Sequence, residues 1–159
     1  MTTLPMLALT GAAALGCATA GGVFFAFSSF VMPGLARLTP ASGVAAMQAI
    51  NVTAVRPPFM AVLFGSAVAS IVGTAVALGT DAPSRTPFVV GTLVYLVGVI
   101  GTTVVVHVPL NNRLTTVSAT STDLSSQWSH YLGRWSRWNH LRAVAGVAAA
   151  ASIALGLRS

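Results

Sequence analysis

The chain has 159 residues, of which 55% are hydrophobic and 6% are charged, and its formal net charge is +6. An ordinary soluble domain has about 25% charged residues, so this composition excludes a water-soluble globular fold. A basic soluble protein would suggest nucleic acid as a partner. Here the arginines flank apolar segments, so membrane topology explains them better. We therefore predict the lipid bilayer as the partner and no nucleic-acid partner.

Four apolar stretches are long enough to cross the hydrocarbon core of a bilayer, which takes about 20 residues. They cover roughly residues 4–31, 59–79, 87–108 and 141–157. No Lys or Arg precedes Arg37, so the first stretch lacks the basic region of a signal peptide, and we interpret it as a retained helix. No repeat or linker divides the chain. The sequence predicts an all-α membrane protein in which residues 1–159 form a single four-transmembrane-helix bundle.

The loops after the first and third spans are predicted to contain short interfacial helices. Ser42 is expected to cap one that ends near Asn51, and residues 57–58, both proline, suit the first turn of the second span. Pro109 is expected to loosen or stop the third span. A second interfacial helix should begin at Asp123, before the fourth span.

The arginines are distributed unequally between the two sides of the predicted bundle. Only Arg85 and Arg158 lie on the side of the termini, whereas the two long loops and their edges hold Arg37, Arg56, Arg113, Arg134, Arg137 and Arg142. Because cytoplasmic loops carry the excess of Lys and Arg, this distribution places both loops in the cytoplasm and both termini outside. The membrane is then the plasma, or inner, membrane.

An aromatic stripe precedes the fourth span. Trp128, Tyr131, Trp135 and Trp138 recur at steps of three, four and three, which places their rings on one helical face. Trp and Tyr favour the headgroup level of a membrane, so the pattern predicts an interfacial anchor. Tyr131 and Trp138, with Phe59, are also candidates to line a slot for a flat aromatic substrate.

Polar side chains are expected to converge at the same edge of the membrane. The first and third spans end there and the second and fourth begin there, which brings together Asn51, Arg56, His107, Asn111, Asn112, Asn139, His140 and Arg142. Ionisable groups within a membrane protein usually face the interior and mark function. The plainer alternatives are helix caps for the asparagines and histidines, and a headgroup contact for Arg142.

Five segments of the chain carry a family pattern. They are residues 22–35 (GVFFAFSSFVMPGL), 46–51 (AMQAIN), 58–60 (PFM), 108–112 (VPLNN) and 128–142 (WSHYLGRWSRWNHLR). In this order, they resemble the anthrone oxygenase family, and the W-N-H-x-R and V-P-L-N elements are the most specific. The resemblance implies a four-helix membrane protein whose fungal relatives convert polyketide anthrones to anthraquinones with molecular oxygen.

The resemblance also implies which residues form the site. The family pattern points to Asn51, Asn111, Asn112, Trp138, Asn139, His140 and Arg142. His107 stands where the family often has asparagine, so its catalytic role is the least supported. We interpret His140 as the general base that deprotonates the substrate, with Arg142 and the asparagines stabilising the oxyanion.

Two other functions remain open at this point. The first is a membrane electron-transfer protein, with His107 and His140 as ligands of haem or a transition metal. No HExxH, CxxC or carboxylate cluster supports it, so we predict no cofactor. The second is a non-catalytic accessory subunit that associates with another membrane protein or with copies of itself. The leading prediction is a monooxygenase that acts on a small lipophilic aromatic compound with oxygen.

Overall fold

The structure is a computed structural model that describes residues 4–80 and 85–156. These residues are almost entirely helical and contain no strand, which confirms the all-α prediction. Their helices, in chain order, are α1 (Leu4–Leu35), α2 (Pro40–Ala54), α3 (Pro57–Gly79), α4 (Arg85–Thr115) and α5 (Leu124–Leu155). The segment between the second and third predicted spans, residues 80–86, which the sequence predicts to be a short structural turn, lies largely outside the described residues.

Three of the described helices, α1, α3 and α4, are long and apolar enough to cross a bilayer. The chain is therefore an integral membrane protein. The predicted fourth span, residues 141–157, lies in α5 as far as it is described, and α5 does not meet the same criterion of length and apolarity. The predicted interfacial helix and this apolar segment form one continuous helix, because no proline separates them.

The long helices pack in a closed order in which each contacts two others. Helix α1 packs along α3 and α5, and α4 packs along the same two helices. At the crossing of α1 and α5, a Cβ atom at Gly21 would lie 2.9 Å from the backbone nitrogen of Val147, and one at Gly146 would lie 2.7 Å from the Gly21 Cα. Small residues let membrane helices approach this closely.

Helix α2 lies across one end of this assembly and contacts the C-terminal end of α4 and the N-terminal half of α5. Its N-cap is Thr39, whose hydroxyl accepts a hydrogen bond from the Ser42 backbone N–H at 3.3 Å. The prediction that Ser42 is the cap is therefore wrong by three positions. The helix buries Val44 and Met47 against the rest of the protein.

Pro109 is predicted to loosen or stop the helix, but α4 does not stop there and continues to Thr115. The preceding residues, Thr103–His107, form a π-helical segment, and the Val108 N–H bonds the Thr103 carbonyl five residues back. Proline in a regular helix clashes with the preceding turn, and a wider turn relieves that clash. A second π-helical segment covers Tyr95–Gly101.

The aromatic stripe of α5 packs inside the protein rather than at a lipid interface. Trp128, Tyr131 and Trp135 are only 3%, 5% and 4% exposed, whereas Trp138 is 38% exposed. Trp128 packs on Gly43 of α2, where a Cβ atom would lie 2.7 Å from the indole ring. The predicted anchoring role is therefore wrong for the three buried rings, of which Trp128 packs α5 against α2.

Candidate functional site

A cavity of about 770 Å³ lies beneath α2, between the adjoining parts of α1, α3, α4 and α5. Its wall is mostly apolar and includes Phe24, Phe59, Met60, Leu63 and Trp135. The polar side chains in the wall are those of Asn51, Thr53, Arg56, Thr103, His107, Asn111 and Arg142. The structure thus brings together most of the polar residues that were expected to meet at this end of the helices.

Arg142 is the central cation of the site and is only 5% exposed. Its Nη2 donates to Asn139 Oδ1 at 2.7 Å and its Nη1 donates to Thr103 Oγ1 at 3.3 Å. Its guanidinium carbon lies 4.1 Å from the centroid of the Phe24 ring and 5.3 Å from that of Trp135. These cation–π contacts and hydrogen bonds fix the guanidinium against α1, α4 and α5.

The guanidinium has no acidic partner within residues 4–80 and 85–156. The only acid in those ranges is Asp123, at the start of α5, which lies roughly 28 Å along the helix from Arg142 at about 1.5 Å per residue. The Arg142 Nε atom is buried and has no hydrogen-bond partner in the described residues. Because an uncompensated buried cation is costly, this group is suited to an anionic or carbonyl oxygen of a ligand.

Asn139 positions the arginine from behind the cavity. It is fully buried, and its Nδ2 donates to the Phe24 carbonyl at 2.7 Å and to Ser28 Oγ at 2.8 Å. Its Oδ1 accepts the hydrogen bond from Arg142. Asn139 therefore ties α1 to α5 through its Nδ2 and holds Arg142 of its own helix through its Oδ1.

Asn111 presents a fixed amide to the cavity. Its Oδ1 accepts two hydrogen bonds, from the Tyr131 hydroxyl at 2.9 Å and from Trp135 Nε1 at 3.1 Å. Burial raises the pKa of Tyr131, so the phenol stays protonated and remains a donor. With its oxygen held in this way, Asn111 has its NH₂ group left to donate elsewhere.

Asn51 provides a further donor in the cavity wall. Its amide lies beside the Tyr131 hydroxyl, and its buried Nδ2 has no hydrogen-bond partner in the described part of the chain. The Nδ2 atoms of Asn51 and Asn111 and the Nε of Arg142 are all N–H donors. A ligand that satisfied them would have to present oxygen acceptors.

His107 is buried in the wall and contacts two backbone carbonyls. Its Nδ1 lies 3.3 Å from the Thr102 oxygen, and its Nε2 lies 3.3 Å from the Trp135 oxygen. A neutral imidazole has one N–H and can donate to only one of these carbonyls, whereas a doubly protonated ring can donate to both. The surroundings of His107 therefore provide acceptors for a second proton.

Five of the ten predicted site residues do not line the cavity: Asn112, Tyr131, Trp138, Asn139 and His140. Asn112 and His140 are exposed, so the predicted convergence is wrong for both. His140 follows Asn139 by one position, which turns its side chain about 100° around the helix and away from the inward face. Trp138 is also outside the cavity wall, whereas Phe59 lines it and Tyr131 lies behind Asn111.

The two histidines predicted as alternative metal ligands lie in different surroundings, with His107 buried in the wall and His140 exposed. No group of three or more His, Cys, Asp or Glu residues that could hold a metal ion occurs among the described residues. That no cofactor is bound stays a prediction.

The fold and the cavity define an integral membrane protein, almost entirely helical in the described residues, with a buried cation in an apolar site. The family model for anthrone oxygenase matches residues 55–152, and the chain belongs to that family. The match covers α3, α4 and nearly all of α5, and hence Phe59, His107, Asn111 and Arg142. Searches of curated proteins and of solved structures each found no significant match.

Proposed function

We propose that this protein is a membrane-embedded oxygenase that oxidises a small, lipophilic, anthrone-like aromatic compound with molecular oxygen. Membership of the family supports the reaction class. The observation that carries the proposal is the Arg142 Nε atom, a buried donor without a described partner in the wall of a large apolar cavity. The cavity volume of about 770 Å³ falls within the range of about 300–1,000 Å³ that is typical of ligand sites.

The donors and the aromatic walls suit the two parts of such a substrate. The fused rings would pack against Phe24, Phe59 and the aliphatic side chains of the wall. The ketone oxygen of the anthrone would accept hydrogen bonds from Arg142. Asn51 and Asn111 would donate to the same oxygen or to a neighbouring hydroxyl group. Donors fixed before the substrate arrives stabilise a developing negative charge without reorganisation.

Proton removal is the step for which this chain supplies the chemistry. Loss of a proton from the methylene carbon of an anthrone gives an anion whose charge is shared with the ketone oxygen across the central ring. We propose that His107, the neutral base in the described wall, accepts this proton on a ring nitrogen that first turns from its backbone carbonyl toward the cavity, and that the protonated ring then donates to both carbonyls. His140, the base predicted from the sequence, is exposed outside the cavity.

The anion then reacts with oxygen at the same carbon. One oxygen atom forms the new carbonyl, the two hydrogens of the methylene group are lost, and the second oxygen atom leaves as water. Anthrone and one molecule of oxygen thus give anthraquinone and one molecule of water. The electron-rich anion is itself the reductant, so the balance needs no other electron donor.

The membrane arrangement that accompanies this function has four spans. In this proposal, the apolar part of α5 after Arg142 completes the fourth crossing, in the plasma membrane. The arginines beside the cavity end, among them Arg56, Arg113 and Arg134, favour the cytoplasmic side for that end. Both termini would then lie outside.

Oxygen uptake by the purified protein with anthrone, corrected for the rate without protein, tests the proposal. Arg142→Gln should lower kcat/KM by about 10²- to 10³-fold, as loss of an oxyanion donor does. Arg137→Gln, on the exposed face of the same helix, is the matched control and should retain full activity. Absence of protein-dependent uptake in the unmodified chain would contradict the function.

A pair of histidine variants tests the proton acceptor in the same assay. His107→Gln should lower kcat by about 10²- to 10⁴-fold, the usual contribution of a general base. His140→Gln should stay close to the unmodified rate. The reverse result would restore the sequence-based assignment and require α5 to turn, and a stoichiometric metal by elemental analysis would favour the electron-transfer alternative.

A further inference from the structure

The cavity is covered at one end by α2. Met47, Ile50 and Asn51 of this helix form part of the wall, and α2 also packs against α4 and α5. Arg56 and Thr53 lie at the polar rim, close to the join between α2 and α3. Helix α2 therefore covers the cavity at the end of the helices that faces water and lipid headgroups.

The side between α3 and α4 is less closely packed. Helix α3 packs against α4 along Arg85–Gly101, but its contacts with the following residues, Thr103–Thr115, are sparse. Three residues at this cleft both line the cavity and are exposed on the outside of the protein: Phe64 is 49%, Val104 is 55% and Val108 is 44% exposed. The wall is thus interrupted on this side.

The depth of this cleft determines what lies outside it. Phe64 is about two turns into α3, or roughly 10 Å from the helix start at about 1.5 Å per residue. Val104 belongs to the apolar part of α4, within a helix able to span the bilayer. Residues at this depth that are exposed on a spanning helix face acyl chains rather than water.

We propose that ligands enter the cavity sideways from the bilayer, through the cleft between α3 and α4. The occupant is a small, neutral, apolar molecule dissolved in the hydrocarbon, which never has to cross the aqueous phase. Arg142 lies inside, so the molecule would meet the cation only after entry, and ionisation there would oppose its return to lipid. Only the identity of the natural ligand rests on the proposed function, since the entry route does not require turnover.

The route can be tested with an apolar photoreactive probe, trifluoromethyl-phenyldiazirine, equilibrated with the full chain in phospholipid vesicles. After illumination, mass spectrometry measures the label on Met47, which lines the cavity and is only 1% exposed. The unmodified protein should be labelled at Met47. Val104→Trp should lose most of this label, because the indole narrows the cleft.

Val105→Trp is the matched control for this experiment. Val105 is the next residue, is 73% exposed and does not line the cavity, so its replacement should leave the Met47 label unchanged. Equal labelling of the two variants would overturn the proposal. Loss of the label in Thr53→Trp instead would place the entrance at the polar rim and would also overturn it.

These outcomes are separable from those of the proposed function. If anthrone-dependent oxygen uptake is absent but the Met47 label still depends on Val104, the entry route stands and the reaction is wrong. If uptake is present but the label is unaffected by Val104→Trp, the reaction stands and the route is wrong.

Discussion

Two neighbouring regions of the α1–α5 interface are built in opposite ways. At Gly21 and Gly146 the helix backbones touch, with room for no side chain between them. One turn away along the same helices, Phe24 and Arg142 stand at the cavity, where the side chains are large and polar donors are left without described partners. Along these two helices, small residues accompany direct backbone contact, and large residues one turn away accompany the cavity.

Polar groups show the same contrast. Where α3 packs against the first part of α4, Thr92 donates to the Ser70 carbonyl at 3.0 Å and shares a 2.8 Å hydrogen bond with Thr74, and the Tyr95 hydroxyl donates to the Leu63 carbonyl at 3.1 Å. These hydroxyls need nothing further. At the cavity, Asn51 Nδ2 and Arg142 Nε have no described partner. Trp128 Nε1, outside the cavity wall, is also buried without a described partner, but only Asn51 and Arg142 combine such a donor with an adjoining cavity that a ligand can fill.

The largest expected effect comes from breaking the close crossing. Gly21→Leu places a side chain within 3 Å of the α5 backbone, so the helices must separate. We expect the free energy of unfolding to fall by about 3 kcal/mol or more, at or above the usual cost of overpacking. Thermal unfolding in detergent measures it. Gly22→Leu is the matched control, since a Cβ atom there meets nothing within 4 Å, and equal losses would contradict the packing argument.

A smaller effect is expected where the two regions join, at Asn139. Asn139→Ala removes the hydrogen bonds to α1 and leaves the Phe24 carbonyl and the Arg142 Nη2 without their partner. The loss in unfolding free energy should be about 1–3 kcal/mol, and activity should fall as well. Ser28→Ala removes only one of the two acceptors of the Asn139 amide and should cost less. Equal destabilisation would show that the Phe24 contact is unimportant.

The smallest effect sharpens the comparison between satisfied and ligand-facing groups. Tyr131→Phe removes the hydroxyl that donates to Asn111, and Tyr95→Phe removes the one that donates to the Leu63 carbonyl. Each change should lower the free energy of unfolding by about 0.5–1.5 kcal/mol. Only Tyr131→Phe should also raise KM for anthrone, because it loosens the Asn111 amide. Similar kinetics for the two variants would separate Asn111 from substrate binding.

The helical fold and the meeting of Asn51, His107, Asn111 and Arg142 could be predicted from the sequence. Counting spans is enough to place alternate helix ends on one side of a membrane, whatever the details of packing. The direction of each side chain could not be obtained in this way, and it excludes His140 and Asn112 from the cavity.

A signal for the inward face of α5 was nevertheless present in the sequence. The steps of three and four that relate Trp128, Tyr131 and Trp135 continue to Asn139 and then Arg142, and all five are buried. This series turns away from Trp138 and His140. Trp138 made this pattern hard to recognise, because an aromatic residue at position 138 continues the aromatic stripe, whereas the asparagine at position 139 does not.

The continuation of α4 past Pro109 has a consequence for register. A π-helical turn holds more residues than an α-helical turn, so the segments Tyr95–Gly101 and Thr103–His107 rotate everything that follows relative to the start of the helix. The face on which Asn111 lies is set by this accumulated rotation. Deletion of Thr102, the residue between these segments, would shorten the helix only slightly. Its main effect would be to rotate the rest of α4 about the helix axis, which would turn the Asn111 amide toward lipid.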